Sequence, residues 1–219
     1  MDAIELHSGE YVKRFAESPI ERVRRLVNAM ELTAESKVVD YGCGLGMLLQ
    51  CLPRYGSYTG VDFSADFIEM ARTLAKDAPN ADFHCTDIVS FCEQNPSEFD
   101  VAATLDFSEH IDDETFLKLY SAIGRSLAPD GKLYLHTPNL NFAIERLKDV
   151  GILKQFPEHI AVRSAKQLVK LLSQCGFSYV SVARIAHYNV LKHLHPLSHL
   201  PGVGDFFAAR LWIEAKVTR

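Results

Sequence analysis

The 219-residue sequence has no C-x-x-C pair, no apolar run approaching a membrane span, and no excess of basic charge. Each absence excludes something. A bilayer crossing needs ~20 consecutive apolar residues, so no transmembrane segment is expected, and the acidic-start N-terminus, Met-Asp-Ala-Ile-Glu-Leu-His, lacks the pattern of a secretory signal. The cysteines (Cys43, Cys51, Cys85, Cys92, Cys175) number five, an odd count, which speaks against a disulfide framework and a zinc ribbon. Reduced thiols and a cytoplasmic setting are the expectation. With 23 Lys and Arg against 28 Asp and Glu, a net charge of -5 and a pI near 6.0, a nucleic-acid backbone is an unlikely main partner. Internal repeats, low-complexity tracts and linkers are missing too, so one domain is expected over 1–219.

What is present is an alternation of strands and helices. Lys37–Tyr41, Tyr58–Val61, Ala81–Cys85, Phe99–Leu105 and Lys132–His136 read as strands, with amphipathic helical patterns after Ser64 and over Asp113–Leu127. That order predicts an α/β fold with a doubly wound parallel sheet, whose ligand lies across the carboxyl ends of the strands. Residues 1–36 read as covering helices broken near Pro19, 37–138 as the core and 139–160 as a lid. Residues 161–219 read as a helix and a strand hairpin, Phe177–Ile185 with Leu211–Val217, interrupted by an insertion at 187–209. The insertion carries His187, His193, His195 and His199 without a paired ligand motif, so a covering, pairing or membrane-touching role is expected before a metal site.

The stretch Val38-Val39-Asp40-Tyr41-Gly42-Cys43-Gly44-Leu45-Gly46 organises the rest. A buried strand ends in three alternate glycines, and a helix is expected from about Met47. Glycine suits a turn whose backbone leaves the usual regions and lies against a ligand. A dinucleotide fingerprint would place its third glycine at position 47, where Met47 stands. Asp62 ends the second strand, 22 positions after Asp40, where a nucleotide-binding protein places the acid that holds a ribose diol; the same position also suits a helix dipole. Asp106, Glu109 and His110 are spaced i, i+3, i+4, so a helical turn would put two carboxylates and an imidazole on one face. Such a set suits a hard divalent ion such as Mg²⁺ or Mn²⁺. Among the N-terminal cations, Arg14 is the candidate to reach a ligand carboxylate, the others reading as a solvated face.

The glycine run with its preceding acid resembles motif I of the class I S-adenosylmethionine-dependent methyltransferases, as does "LAPDGKLYLHTPN" at 127–139. The resemblance implies a Rossmann-like seven-stranded sheet with the last strand antiparallel between the fifth and sixth. It implies S-adenosylmethionine as cofactor, with Gly42, Gly44 and Gly46 beneath its methionine part and Asp62 and Phe63 at the ribose. Asp87 and Ile88 would address adenine, Asp87 alternatively serving only a turn, and Leu105 and Asp106 would sit near the reacting methyl. The nearest resemblance is to the O-methyltransferases of ubiquinone biosynthesis. Their Glu-x-x-Glu-His run corresponds to Asp106 to His110, their Asn-x-Asn to Asn139-Leu140-Asn141, and a later histidine to His159. The first acid departs from that pattern, being aspartate. The resemblance implies a small, partly apolar acceptor methylated at a phenol or quinol oxygen. The metal reading takes Asp106, Glu109, His110 and Asn139; the metal-free reading takes His110 or His159 as general base; and a plain structural role stays open. The run Leu105 to Ser108 lacks the Asp/Asn-Pro-Pro-aromatic motif of adenine-amino methylases. A non-catalytic cofactor-binding regulator, a protein methyltransferase and a homodimer are the remaining alternatives.

Overall fold

The computed structural model describes residues 20–187 and 190–217. Arg14, and the first of the two helices expected before residue 36, lie outside the described residues. A short helix α1 (Glu21–Val27) leads into the sheet. The following elements are β1 (Lys37–Tyr41), β2 (Ser57–Asp62), α2 (Ala65–Leu74), β3 (Ala81–Cys85), α3 (Ile88–Gln94), β4 (Phe99–Leu105), α4 (Asp113–Ser126) and β5 (Leu127–Pro138). After them come α5 (Ala143–Asp149), α6 (Ala165–Gln174), β6 (Phe177–Ile185) and β7 (Arg210–Val217).

The strands form one seven-stranded sheet in the order β3-β2-β1-β4-β5-β7-β6. All pairs from β3 to β5 are parallel, and β7 runs antiparallel to both β5 and β6. This is the doubly wound seven-stranded sheet that the alternation and the resemblance implied.

The two-residue period of each strand divides the core between the two faces. Val39, Tyr41, Leu133, Leu135 and Ile213 belong to one apolar cluster, with Phe116, Tyr120 and Ile123 of α4 and Leu168 and Leu172 of α6. Val38, Tyr134 and Trp212 belong to the other, with α1 and Ile68 of α2. The central parallel strands β1 and β4 are buried on both sides, and that is why they read as apolar runs. The helices begin on side-chain caps where the sequence supplies them: Ser64, Asp87, Asp112 and Ser164 each accept from a backbone N–H of the first turn. All five cysteines are free thiols.

Two stretches that read as helical, the one from Met47 and residues 139–156, differ. No α-helix starts at Met47; the chain makes turns and then a single 3-10 turn, Leu49–Cys51. The cause is local: Gly46 still has φ +70°, and Pro53 forces Leu52 to extended geometry, leaving no length for an α-helix. The lid helix is confined to Ala143–Asp149, because Gly151 at φ +78° stops it. The insertion folds into two 3-10 stretches, Val190–His199 and Gly204–Phe207.

Candidate active site at the carboxyl ends of the strands

A cavity of about 300 Å³ opens at the carboxyl ends of β1, β2 and β4. Its floor is the glycine turn, where Gly42 and Gly44 have φ of +71° and +51°. A side chain at Gly42 would be strained by that backbone, and its Cβ would lie 2.6 Å from the Phe107 ring. Gly44 donates its N–H to Asp62 Oδ2 at 3.0 Å, and Ser64 donates to Asp62 Oδ1 at 2.9 Å. These two bonds aim the Asp62 carboxylate into the cavity and lock the turn to the end of β2.

Phe63, Phe67, Thr86, Asp87 and Ile88 line one end of the cavity. Asp87 is the N-cap of α3, accepting from Ser90 N–H at 2.9 Å, and those hydrogen bonds hold its carboxyl below the usual range. Leu105, Asp106, Phe107, His110, Ile111 and Leu119 line the other end. Thus Gly42, Gly44, Asp62, Phe63, Asp87, Ile88 and Leu105 meet around one space, as expected from the sequence. Asp40 and Gly46 do not line it. Asp40 is buried behind the turn, accepts from the Tyr58 hydroxyl at 2.9 Å, and is pushed up to about 7 by burial. Gly46 faces inward, its Cβ position 3.2 Å from the Phe83 ring.

The acid and histidine group is arranged differently from the expected helical face. Asp106 has φ +53°, which breaks any helix there, and only Ser108–His110 form a 3-10 turn. The buried Asp106 carboxylate is taken up by Arg22 Nη1 at 2.5 Å, Arg210 Nη1 at 2.6 Å and His136 Nδ1 at 2.9 Å. Burial alone would raise its pKa, but Arg210, His136 and Arg22 together hold it well below the carboxylate range. Both Asp106 oxygens are thus engaged by cationic or imidazole partners rather than grouped with Glu109 and His110. Asn139 is held by the backbone at the root of the lid: its Nδ2 donates to Asp205 O and Ala208 O, and its Oδ1 accepts from Asn141 N–H.

His159, from the lid, is the residue that groups with Glu109 and His110. Glu109, His110 and His159 each offer a ligand atom, all within 4.8 Å of one another. The Glu109 carbonyl accepts from Ile160 and Ala161 N–H, and Thr137 donates to Glu109 Oε2 at 3.1 Å. Burial and the nearby Asp106 push the Glu109 carboxyl up to about 8. His110 Nδ1 lies 2.8 Å from the Glu158 carbonyl. A carbonyl only accepts, so Nδ1 carries the proton and the lone pair is on Nε2. Burial lowers the His110 pKa, and burial with the neighbouring His110 lowers His159 to about 4. The rings stand edge to face, 5.3 Å apart. The buried His159 Nδ1 has no hydrogen-bond partner among the described residues. One carboxylate and two imidazoles suit a borderline divalent ion such as Zn²⁺, Mn²⁺ or Fe²⁺ better than oxygen-seeking Mg²⁺.

The sequence reading missed Phe107 and Arg163. Phe107 packs on Gly42, and its place directly after Asp106 was the available signal. Arg163, 3% exposed, donates to the carbonyls of Ser108, Ala161 and Ile111 and to Asp113, so it fastens the lid to the 108–111 turn. Nothing near position 163 in the sequence marks it.

A doubly wound sheet with a glycine turn, an acid ending β2 and a cavity across the strand ends defines an α/β enzyme that binds a nucleoside-bearing cofactor. The family model for the methyltransferase domain matches residues 10–182. The chain belongs to that family and is an S-adenosylmethionine-dependent methyltransferase. It is 27% identical over 198 residues to a ubiquinone biosynthesis O-methyltransferase of Vibrio atlanticus, covering 86% of this chain and 82% of that one. To the enzyme of the same name from Idiomarina loihiensis it is 34% identical over 107 residues, 48% of this chain and 43% of the relative. A solved S-adenosylmethionine-dependent methyltransferase from Archaeoglobus fulgidus shares the fold, with TM-score 0.69 and 21% identity over 98% of this chain and all of that one.

Proposed function

We propose that this methyltransferase methylates a hydroxyl oxygen of a small, partly apolar phenol, catechol or quinol, with His110 as general base. The observation that carries the reading is His110 itself. Its tautomer is set by the Glu158 carbonyl, its pKa is kept low enough for the neutral form to dominate near pH 7, and it lines the same cavity as Gly42, Gly44 and Asp62. The resemblance to enzymes named ubiquinone biosynthesis O-methyltransferase supports oxygen as the acceptor atom.

S-adenosylmethionine supplies, when bound, a methyl already activated on a sulfonium. The chain's part is to bind, to align and to take a proton. Asp62 accepts from the ribose hydroxyls, while Ile88 packs on the adenine and Asp87 accepts from its amine. Gly42 and Gly44 let the methionine part lie on the turn. His110 Nε2 accepts the acceptor's hydroxyl proton as the oxygen attacks, and the apolar wall of Leu105, Phe107 and Ile111 excludes water.

A second reading has its own observation, the Glu109, His110 and His159 group around the orphaned His159 Nδ1. Here these three residues hold a divalent cation that lowers the pKa of the acceptor hydroxyl. One experiment separates the readings: methyl transfer to a catechol and phenol panel by wild type and His110→Ala, with and without EDTA. The base reading expects full activity in EDTA, a loss of about a hundredfold or more in the variant at unchanged cofactor affinity, and a pH-rate profile whose acid limb lies below 6.5. The cation reading expects loss in EDTA, restored by Mn²⁺ or Zn²⁺. Wild-type turnover by His110→Ala would end both.

A further inference from the structure

The two edges of the sheet are built differently. At one edge β3 is short and sealed. Asn80 O accepts from Tyr58 N–H, and Thr86 N–H donates to Asp62 O, so both face β2. By the alternation of a parallel strand, Phe83 therefore turns its own N–H and C=O outward. Both groups are taken up within the chain: Asp82 Oδ1 accepts the Phe83 N–H at 2.8 Å, and the Arg72 guanidinium donates to the Phe83 carbonyl. An added strand would find the middle of this edge already paired.

The other edge, β6, is nine residues long and has no such seal. The register shifts between Phe177 and Tyr179, and regular pairing with β7 then runs from Tyr179 to Ile185. Among the described residues, no side chain bonds a backbone N–H or C=O of those seven. Their sequence, Tyr-Val-Ser-Val-Ala-Arg-Ile, is rich in strand formers and contains no Pro, Lys, Asp or Glu. Its one charge, Arg184, is engaged within the chain, donating to Asp205 at 2.7 Å. After Phe177 no residue of the strand is buried, and Tyr179 is 54% exposed. A long edge strand without charges, prolines or a cover is a template for a further strand.

The residue order selects a second copy of the same strand. About Val182 the seven residues are symmetric in size: Ser181 and Ala183 flank it, Val180 and Arg184 come next, and Tyr179 and Ile185 stand at the ends. An antiparallel pairing about a twofold axis at Val182 sets each Tyr179 against Ile185 of the second copy, an aromatic against a β-branched side chain. Ser181 meets Ala183, small against small, and Arg184 meets Val180. The two Arg184 residues stay four positions apart along the strands, roughly 13 Å, so no like charges face each other. Because β6 runs antiparallel to β7 and β7 antiparallel to β5, β6 is parallel to β5. The axis therefore sends the two cavities to opposite rims of the joined sheet, and neither lid meets the other copy. We propose that two copies of this methyltransferase associate edge to edge through residues 179–185 of β6, forming one continuous sheet. The pairing does not depend on which atom the enzyme methylates.

The test is sedimentation velocity of the full chain over a concentration series, beside two double variants. One is Ser181→Lys with Ala183→Lys, the other Ser181→Glu with Ala183→Glu; neither position is buried or lines the cofactor cavity. In the proposed pairing each variant sets like charges directly opposite each other on both sides of the axis. Wild type should sediment as a dimer at micromolar concentration, and the dimer dissociation constant should rise at least about tenfold in each variant alone. An equal mixture of the two variants should sediment as a dimer again, because lysine then meets glutamate. S-adenosylmethionine affinity and circular dichroism, measured on the same samples, should match wild type, which separates a lost interface from a misfolded chain. Wild type that stays monomeric, or folded variants that dimerise as wild type does, overturns the proposal. So does a mixture of the folded variants that stays monomeric.

Discussion

Both oxygens of Asp62 accept a backbone N–H, one from the glycine turn and one from the start of the next helix. The residue therefore acts twice: it fixes the shape of the turn and, in the proposed function, accepts from the ribose hydroxyls. The two jobs respond differently to substitution. Asp62→Asn keeps one acceptor and the approximate shape, but loses the charge that strengthens each ribose bond, a contribution of roughly 1.5 to 3 kcal/mol. Asp62→Ala loses everything. Calorimetric titration with S-adenosylmethionine should show affinity falling at least about tenfold in Asp62→Ala and by less in Asp62→Asn. Unchanged affinity in a folded Asp62→Ala would remove the ribose role. This acid was legible because its signal is local: a strand ends, a helix cap follows, and the count from the glycine turn is fixed by one intervening crossover. The neighbourhood of Asp106 was not legible for the opposite reason. Its partners Arg22 and Arg210 lie 84 and 104 positions away, and no spacing rule reaches that far. An i, i+3, i+4 pattern suggested a shared helical face, and φ +53° at Asp106 itself breaks that helix, its carboxylate going to Arg22, Arg210 and His136.

At the scale of elements, the 3-10 turn Ser108–His110 has too few internal hydrogen bonds to hold the proposed base, His110, in place. Arg163 supplies what the turn lacks. Its guanidinium fork reaches three carbonyls and a carboxylate, and its face lies 5.0 Å from the Phe116 ring centre in α4. Replacing it by methionine fills the volume but leaves the buried Ser108 carbonyl and the partly buried Ile111 carbonyl without this donor, at about 1 to 3 kcal/mol each. Arg163→Met should lower stability by about 3 kcal/mol or more and slow turnover beyond what the stability loss explains, because His110 and His159 would no longer share one geometry. Arg163→Lys should recover little, since an ammonium cannot span the same acceptors. Denaturant unfolding with parallel single-turnover rates checks both; a variant of wild-type stability and rate would assign Arg163 no part in holding the site.

At the scale of the whole molecule, the strand and helix alternation was readable because parallel strands buried on both faces stand out as short apolar runs between amphipathic helices. Buried ionisable groups distributed over that sheet give the fold a pH dependence that no single element would show. His159 is held near 4 and His110 and His136 below their ordinary value, so each binds its proton more weakly folded than unfolded. Their contribution is complete above about 6.5 and is lost as pH falls toward 4. Asp40 at about 7 and Glu109 at about 8 have the opposite sign. They bind protons more tightly folded than unfolded, so their contribution is present below about 4 and is withdrawn as pH rises to their folded values. Between about 4.5 and 6.5 the two sets oppose each other. Above 6.5 the histidines are finished and only the carboxyls act, so the ligand-free protein should lose stability steadily from about pH 6.5 to 8. Thermal melting across that interval checks the sign. Asp40→Asn, which keeps an acceptor for the Tyr58 hydroxyl, should remove part of the slope, and Glu109→Gln should remove part as well. A melting temperature that holds level or rises from pH 6.5 to 8 would mean that these two carboxyls ionise in the folded protein as easily as in the unfolded one.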